Sequence, residues 1–275
     1  MKIYHGGPGY KEDERMHWLS KKRYKIGLVI PTLVVYMVFI IIPIGMSIGY
    51  SFSKYSGIGK ATFNGLTNYM RLFKDRLFWI SLKNTMIMFI LAFVLLLSLS
   101  FLIALLLNNK LKGVDFSKSL IFSPAIIAPI IVGIIWVYIL DPNIGIIYFW
   151  QQLGYLVTVF IAGLKMIPGE VLEAVEIDGA SFIQKTMYVT IPMMKSTIST
   201  VAVLIITGVF KIFEIVQQTT GGGPNHLSET LVTYSYSMTF NSGDYGYGMS
   251  LATFTFLLSL VITGIYSILT RERGE

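Results

Sequence analysis

The chain has 275 residues, of which 54% are hydrophobic and only 13% charged, about half the charged share of a soluble globular domain. That balance excludes an ordinary water-soluble protein, and the absence of cysteine excludes disulfides, thiol catalysis and cysteine-ligated metals. The net charge of +7 is spread in short clusters beside apolar runs, a pattern of membrane orientation and not of a nucleic-acid-reading face.

Taken in chain order, residues 1–25 form a basic tail ending in Lys21, Lys22, Arg23 and Lys25. The apolar run behind it is too long for a signal-peptide core and shows no small-residue cleavage site, so it reads as a retained span. Stretches of roughly 20 apolar residues cross a bilayer, and they recur to give an all-α, polytopic membrane protein with six transmembrane helices. The predicted spans are 26–52, broken by Pro31 and Pro43, then 80–107, 120–140, 144–167, 197–215 and 249–269. The fourth is interrupted by Gln151, Gln152 and Gly154, and amides in a span face a bundle interior more often than lipid. Residues 26–270 are thus the transmembrane domain, and 271–275 a second tail.

Lys and Arg set the orientation. With both termini cytoplasmic, the inward segments hold the N-terminal cluster, Lys110, Lys112, Lys118, Lys165, Lys185, Lys195, Arg271 and Arg273. No Lys or Arg lies between Ile212 and Thr270. One loop opposes this, with Lys54, Lys60, Arg71, Lys74, Arg76 and Lys83 between spans one and two, and Lys211 lies at the outer end of span five.

The segment 166–192 between spans four and five is a hydrophilic stretch carrying four carboxylates among apolar runs. Pro168 suits a first helical turn, and Glu170, Glu173 and Glu176, spaced by three, share one helical face. No Lys or Arg lies within that helix, so its acidic face is expected to be unneutralised. Gly179 suits a sharp turn. Ser181 with Gln184 has the form of a capping box opening a second helix, expected to end before Pro192. On spacing alone, a solvated cytoplasmic loop and a docking helix-turn-helix are both open readings.

From Glu173 to Pro192 the stretch resembles the conserved cytoplasmic loop of permease subunits of ATP-binding-cassette importers, which reads Glu-Ala-Ala, two residues, Asp-Gly-Ala and a closing Pro. The matching places are Glu173, Ala174, Val175, Asp178, Gly179, Ala180 and Pro192. More narrowly, the chain resembles carbohydrate-uptake permeases related to the maltose and glycerol-3-phosphate systems. Asn68-Tyr69 with Asn84-Thr85, Asp141-Pro142-Asn143, and Thr220-Gly221-Gly222-Gly223-Pro224 carry that likeness.

The resemblance implies that 166–192 is a cytoplasmic coupling loop docking in a groove of an ATPase. Glu173 would meet a cation, Gly179 would form the turn, Ala174 and Ala180 would permit close approach, and Asp178 belongs to the same coupling set. It implies a second homologous permease, two cytoplasmic ATPase subunits and an extracellular solute-binding protein as partners. ATP and Mg would be bound by the ATPases, with no cofactor on this chain, no nucleic acid partner, and a place in the plasma or inner membrane. Three departures stand out. Val175 replaces the second Ala, Thr186 stands where an aromatic is usual, and the outer stretch around Ile147–Trp150 is shortened.

Other patterns carry less. Gly221-Gly222-Gly223-Pro224 lacks the Lys-Ser/Thr of a phosphate loop and reads as a flexible outer turn. His5, His17 and His226 share no metal spacing. Trp136, Gln151, Gln152 and Tyr155 are types that bind sugars and equally types that pack helices. Lys211 and Glu214, three apart, either pair locally or line the route. The expected function is translocation of a sugar or oligosaccharide. The alternatives are another solute such as a phosphorylated polyol, or a non-transporting permease-like scaffold.

Overall fold

The computed structural model describes residues 22–108, 113–132, 134 and 144–270. Contacts divide the chain after Gly49 into two units. The first holds most of helix α1, which runs Lys22–Tyr36, through a π-helical turn at Met37–Ile41, and on as Ile42–Ser51. Its apolar side chains are exposed, Phe39 at 73%, as expected of a helix that meets lipid or another protein.

The π turn answers Pro43. Ile42 donates its N–H to Met37 O, five residues back, which widens the helix where the proline ring would otherwise press on a carbonyl. The same device recurs before Pro192, where Ile191 donates to Thr186 O. The second helix of the 166–192 loop therefore does not end before Pro192 as expected. It runs through it to Met193.

The second unit contains strands β1 (Ser53–Lys54) and β2 (Thr62–Phe63), then α2 (Thr67–Lys74), α3 (Arg76–Leu107), α4 (Val114–Ile126), α5 (Ile144–Leu164), α6 (Gly169–Ile177), α7 (182–193), α8 (Lys195–Val209), α9 (Glu214–Thr219), α10 (231–241) and α11 (Tyr245–Thr270). The strands pair antiparallel, Ser53 opposite Phe63. This hairpin is the exception to an otherwise all-α fold.

Among the described residues, four helical segments are long and apolar enough to cross a membrane: Val29–Ser51, Arg76–Leu107, Lys195–Thr219 and Tyr245–Thr270. A bent pair, Gln152–Leu164 with Gly169–Ile177, makes a fifth if taken as one span. The predicted third span, 120–140, lies partly outside the described residues, whereas the shortened stretch around Ile147–Trp150 falls within the first turns of α5.

Helix α3 starts four residues earlier than its apolar run because Asp75 caps it, accepting from Leu77 N at 2.8 Å. Its buried positions include Ser81, Thr85, Ala92, Ser100 and Ala104, while Ile90, Val94, Leu102 and Leu106 are exposed. Apart from Phe78 and Leu96, the buried positions of α3 are thus small residues, the arrangement that lets membrane helices approach closely. The main core joins Leu96 of α3 to Val157 and Phe160 of α5 and Val201 and Ile205 of α8.

The hairpin end is tied by polar side chains. Asn68 Nδ2 donates to Ser51 O and Ser53 O, both at 2.9 Å, and Tyr69 hydrogen-bonds Ser51 at 2.7 Å. Asn84 Nδ2 donates to Leu227 O and Glu229 O at 2.9 Å, and Thr85 Oγ1 accepts from Leu231 N at 3.1 Å. The two Asn-containing pairs of the family likeness are therefore clamps on backbone carbonyls. Asn68→Leu removes two buried hydrogen bonds, a loss of about 2 kcal/mol. Lower thermal stability and faster proteolysis within 53–63 are expected; an unchanged cleavage rate would refute the clamp.

Candidate functional site

At the opposite end of α3, the chain leaves α5 and bends by 77° into α6. Pro168 precedes the first turn of α6, with Val171 N donating to Pro168 O at 3.2 Å. Gly179 closes α6 at φ +75°, and Ala180 N reaches back to Val175 O at 3.2 Å, the hydrogen bond of a glycine-terminated helix end. The capping box of α7 is present: Gln184 N donates to Ser181 Oγ at 3.3 Å and Ser181 N to Gln184 Oε1 at 2.8 Å. The local chemistry of Gly179, Ser181 and Gln184 folds the segment as helix, tight turn, helix.

Val171, Leu172 and Val175 turn partly inward, while Glu170, Glu173, Ala174, Glu176 and Asp178 are exposed. The acidic face is not wholly unneutralised as expected, because Lys185 of α7 folds back across the turn and pairs with Glu176. Glu173 and Asp178 have no ion pair among the described residues. Large apolar side chains surround them: Ile177 is 86% exposed and Met166 80%, with Ile183 and Tyr188 also in the open. A polar loop that exposes acids and aliphatics together offers both charge and apolar contact to a partner. Behind it, Thr186 lines a cavity of about 250 Å3.

The residues flagged for a route through the membrane are only partly assembled. Gln152, Lys211 and Glu214 line one small cavity of about 80 Å3 with Pro129 and Phe213. Lys211 also lines a second, of about 320 Å3, with Phe210, Ser235, Thr255 and Phe256. Among the described residues no ion pair joins Lys211 to Glu214. They flank a break in the fifth apolar stretch, where α8 ends at Val209 and α9 begins at Glu214. Tyr155 is 43% exposed and lines neither cavity. Trp136 and the side chain of Gln151 lie outside the described residues.

A further polar cluster was missed in the sequence. Tyr234 and Tyr247 both donate their hydroxyls to Asp75 Oδ2. Arg71 lies 4.0 Å over the Tyr247 ring and pairs with Asp244 at 2.6 Å, so α2, α10 and α11 share one network. Its only advance signal is a lone Asp beside an apolar run, which spacing cannot connect to tyrosines about 160 residues away. The Gly221–Pro224 segment, expected as a flexible turn, is also fastened: Ser228 Oγ donates to Gly223 O at 2.6 Å, and His226 pairs with the buried Glu229. Burial pushes the Glu229 carboxyl up, against the opposing pull of His226.

Burial disfavours ionisation of Asp75, but the hydrogen bonds from Tyr234, Tyr247 and the Leu77 N–H outweigh it and hold its carboxyl below the usual range. A carboxyl with a lowered folded pKa gives stability that is complete above the unfolded value near pH 4 and is lost as pH falls through the folded value. Wild-type thermal stability is therefore expected to fall below about pH 4 more steeply than that of Asp75→Asn, which keeps an acceptor and does not titrate. Parallel profiles for the two proteins would remove Asp75 from the account.

Comparison with known proteins matches residues 119–274 to the family described as binding-protein-dependent transport system inner membrane component. The chain is 28% identical to the trehalose/maltose transport system permease protein of Thermococcus litoralis, over 93% of this chain and 98% of that one. It is 27% identical to a probable starch degradation products transport system permease protein of Thermoanaerobacterium thermosulfurigenes, over 89% and 93%. Its fold is similar to a chain of a bacterial ABC transporter involved in import of the acidic polysaccharide alginate, with TM-score 0.78, 20% identity, and coverage of 96% and 99%. With the matched segment reaching from α4 through α11 and carrying the whole 166–192 loop, the chain belongs to the family of binding-protein-dependent transport system inner membrane components.

Proposed function

We propose that this chain is a six-span permease subunit of an ATP-driven importer for a sugar or oligosaccharide, with both termini in the cytoplasm. The observation that carries the reading is the 166–192 loop, a helix-turn-helix that exposes Glu173, Asp178 and Ile177 beside a left-handed Gly179. In this reading α6 is the coupling helix, seated in a groove of a cytoplasmic ATPase. Two ATPase copies bind ATP and Mg, and a second homologous permease completes the route. A solute-binding protein delivers the substrate from outside.

Closure of the ATPases on ATP pushes the two coupling loops. Because α6 is joined to α5 by a short break at the 77° bend, that push tilts the spans and exchanges outward for inward access, a rigid-body switch between two packings. ATP acts only through its preference for one packing over the other. The sugar class follows the names of the relatives, starch degradation products and trehalose/maltose. The cavities at Gln152, Lys211 and Glu214, at the break between α8 and α9, are the substrate route, since helix breaks inside a span free polar groups for a solute.

Uptake by the assembled complex in vesicles, against a panel of mono- and oligosaccharides and a phosphorylated polyol, tests the reading. ATP-dependent accumulation of a neutral saccharide is the expected result. Accumulation of the polyol phosphate alone would reassign the substrate, and accumulation of nothing would favour a scaffold. Lys211→Ala is expected to cut uptake roughly tenfold, the loss of one charge-assisted hydrogen bond. Full uptake by this variant would take Lys211 out of the route.

A further inference from the structure

The cavity behind α7 lies where the ends of α3 and α5 meet the docking loop, and it has two unlike walls. One is polar, formed by Asn108, Thr186 and Thr190 with the Glu176–Lys185 ion pair beside them. The other is apolar, with Leu105, Leu172 and the Phe182 ring. A threonine at 186 is too short to fill the space under its own helix, so about 250 Å3 stays open.

We propose that this cavity is a binding site for a neutral sugar ring of hexose size. Three features select that class. The two charges in the wall satisfy each other, so an ionic ligand would have to break the pair or lie against a like charge. The amide and hydroxyls of Asn108, Thr186 and Thr190 can exchange hydrogen bonds with ring hydroxyls, while Phe182 and the leucines take the apolar face of the ring. The volume of about 250 Å3 lies below the ~300 Å3 at which sites for larger ligands begin, the size class of a single pyranose.

The cytoplasmic location of this site rests on the orientation proposed above. A ring seated there touches the ends of α3 and α5 on one side and α6 and α7 on the other. It stiffens the joint through which the loop is driven.

The test uses the assembled complex in nanodiscs, with glucose, galactose and mannose as probes, and reads the unfolding temperature against concentration. A saturable rise with at least one hexose is expected for the wild type. Thr186→Phe fills the space and is expected to abolish the rise. Asn108→Ala, at the end of α3 and outside the docking loop, is expected to weaken binding by roughly five- to tenfold. No saturable rise in the wild type overturns the site, and so does a rise that both variants retain, because the hexose then binds in the translocation route. ATPase retention and uptake are scored on the same preparation. A complex that transports without a hexose response overturns this site alone; one that neither holds ATPase nor transports overturns the reading beneath it as well.

Discussion

Glu173→Lys is expected to abolish ATPase co-purification and uptake while leaving the chain folded in the membrane. Glu173 is exposed on α6 and has no ion pair among the described residues, so its replacement disturbs nothing within the chain. Its cost falls at the interface, where a carboxylate seated against a partner cation becomes a second cation. Removing one side of a desolvated charge pair costs about 2–5 kcal/mol, and reversal adds repulsion, so affinity should drop by at least ~100-fold. Gly179→Pro is a second route to the same loss, because proline is locked near φ −65° and the turn needs φ +75°. Retention of the ATPase and full uptake by Glu173→Lys would sink the assignment of α6 as the coupling helix.

Gly154→Val is expected to be severely damaging for folding. The sequence marks Gly154 only as an interruption of an apolar span. In the fold it is where α5 lies against α4: a Cβ there would stand 2.1 Å from Ile121 O and 3.1 Å from the Phe122 Cα. Both obstacles are backbone, so no rotamer change relieves them and the helices must separate. Overpacking of a close contact costs about 1–3 kcal/mol when side chains can give, and a backbone clash lies at or above that range. The expected readout is loss of monodisperse protein after detergent extraction, with Gly163→Val milder. There the obstacle is the Thr197 side chain at 2.5 Å, which can rotate. Equal yields of Gly154→Val and wild type would show that α4 and α5 are not packed this tightly.

These two positions also mark how much could be read in advance. The 166–192 loop was legible almost residue by residue, because its structure is local: Gly179 makes the turn, Ser181 and Gln184 cap the next helix, and Pro168 precedes the first. Two features of the loop depend on more than residue type and spacing. The neutralising partner of Glu176 is Lys185, on the next helix, and reaches it only because the turn folds α7 back. The end of α7 was misplaced because a π turn absorbs Pro192, a conformation that the residue types do not announce.

The class of protein, most of the apolar stretches, the helix-turn-helix of 166–192 and the family could be read from composition or from residues fewer than about twenty apart. Which face of each span turns inward depends on the tertiary structure. On α3 nearly every residue is apolar, so hydropathy cannot distinguish lipid from core, and small size at Ala92, Ser100 and Ala104 marks the buried side. It alone joined Asp75 to Tyr234 and Tyr247, fixed Asn68 and Asn84 on distant carbonyls, and gathered Gln152, Lys211 and Glu214 at one helix break. The physical reason is common to all of them. In a bilayer the hydrophobic effect drives segments into the membrane but does not choose their neighbours, and that choice is left to close packing and hydrogen bonds between residues far apart in the chain.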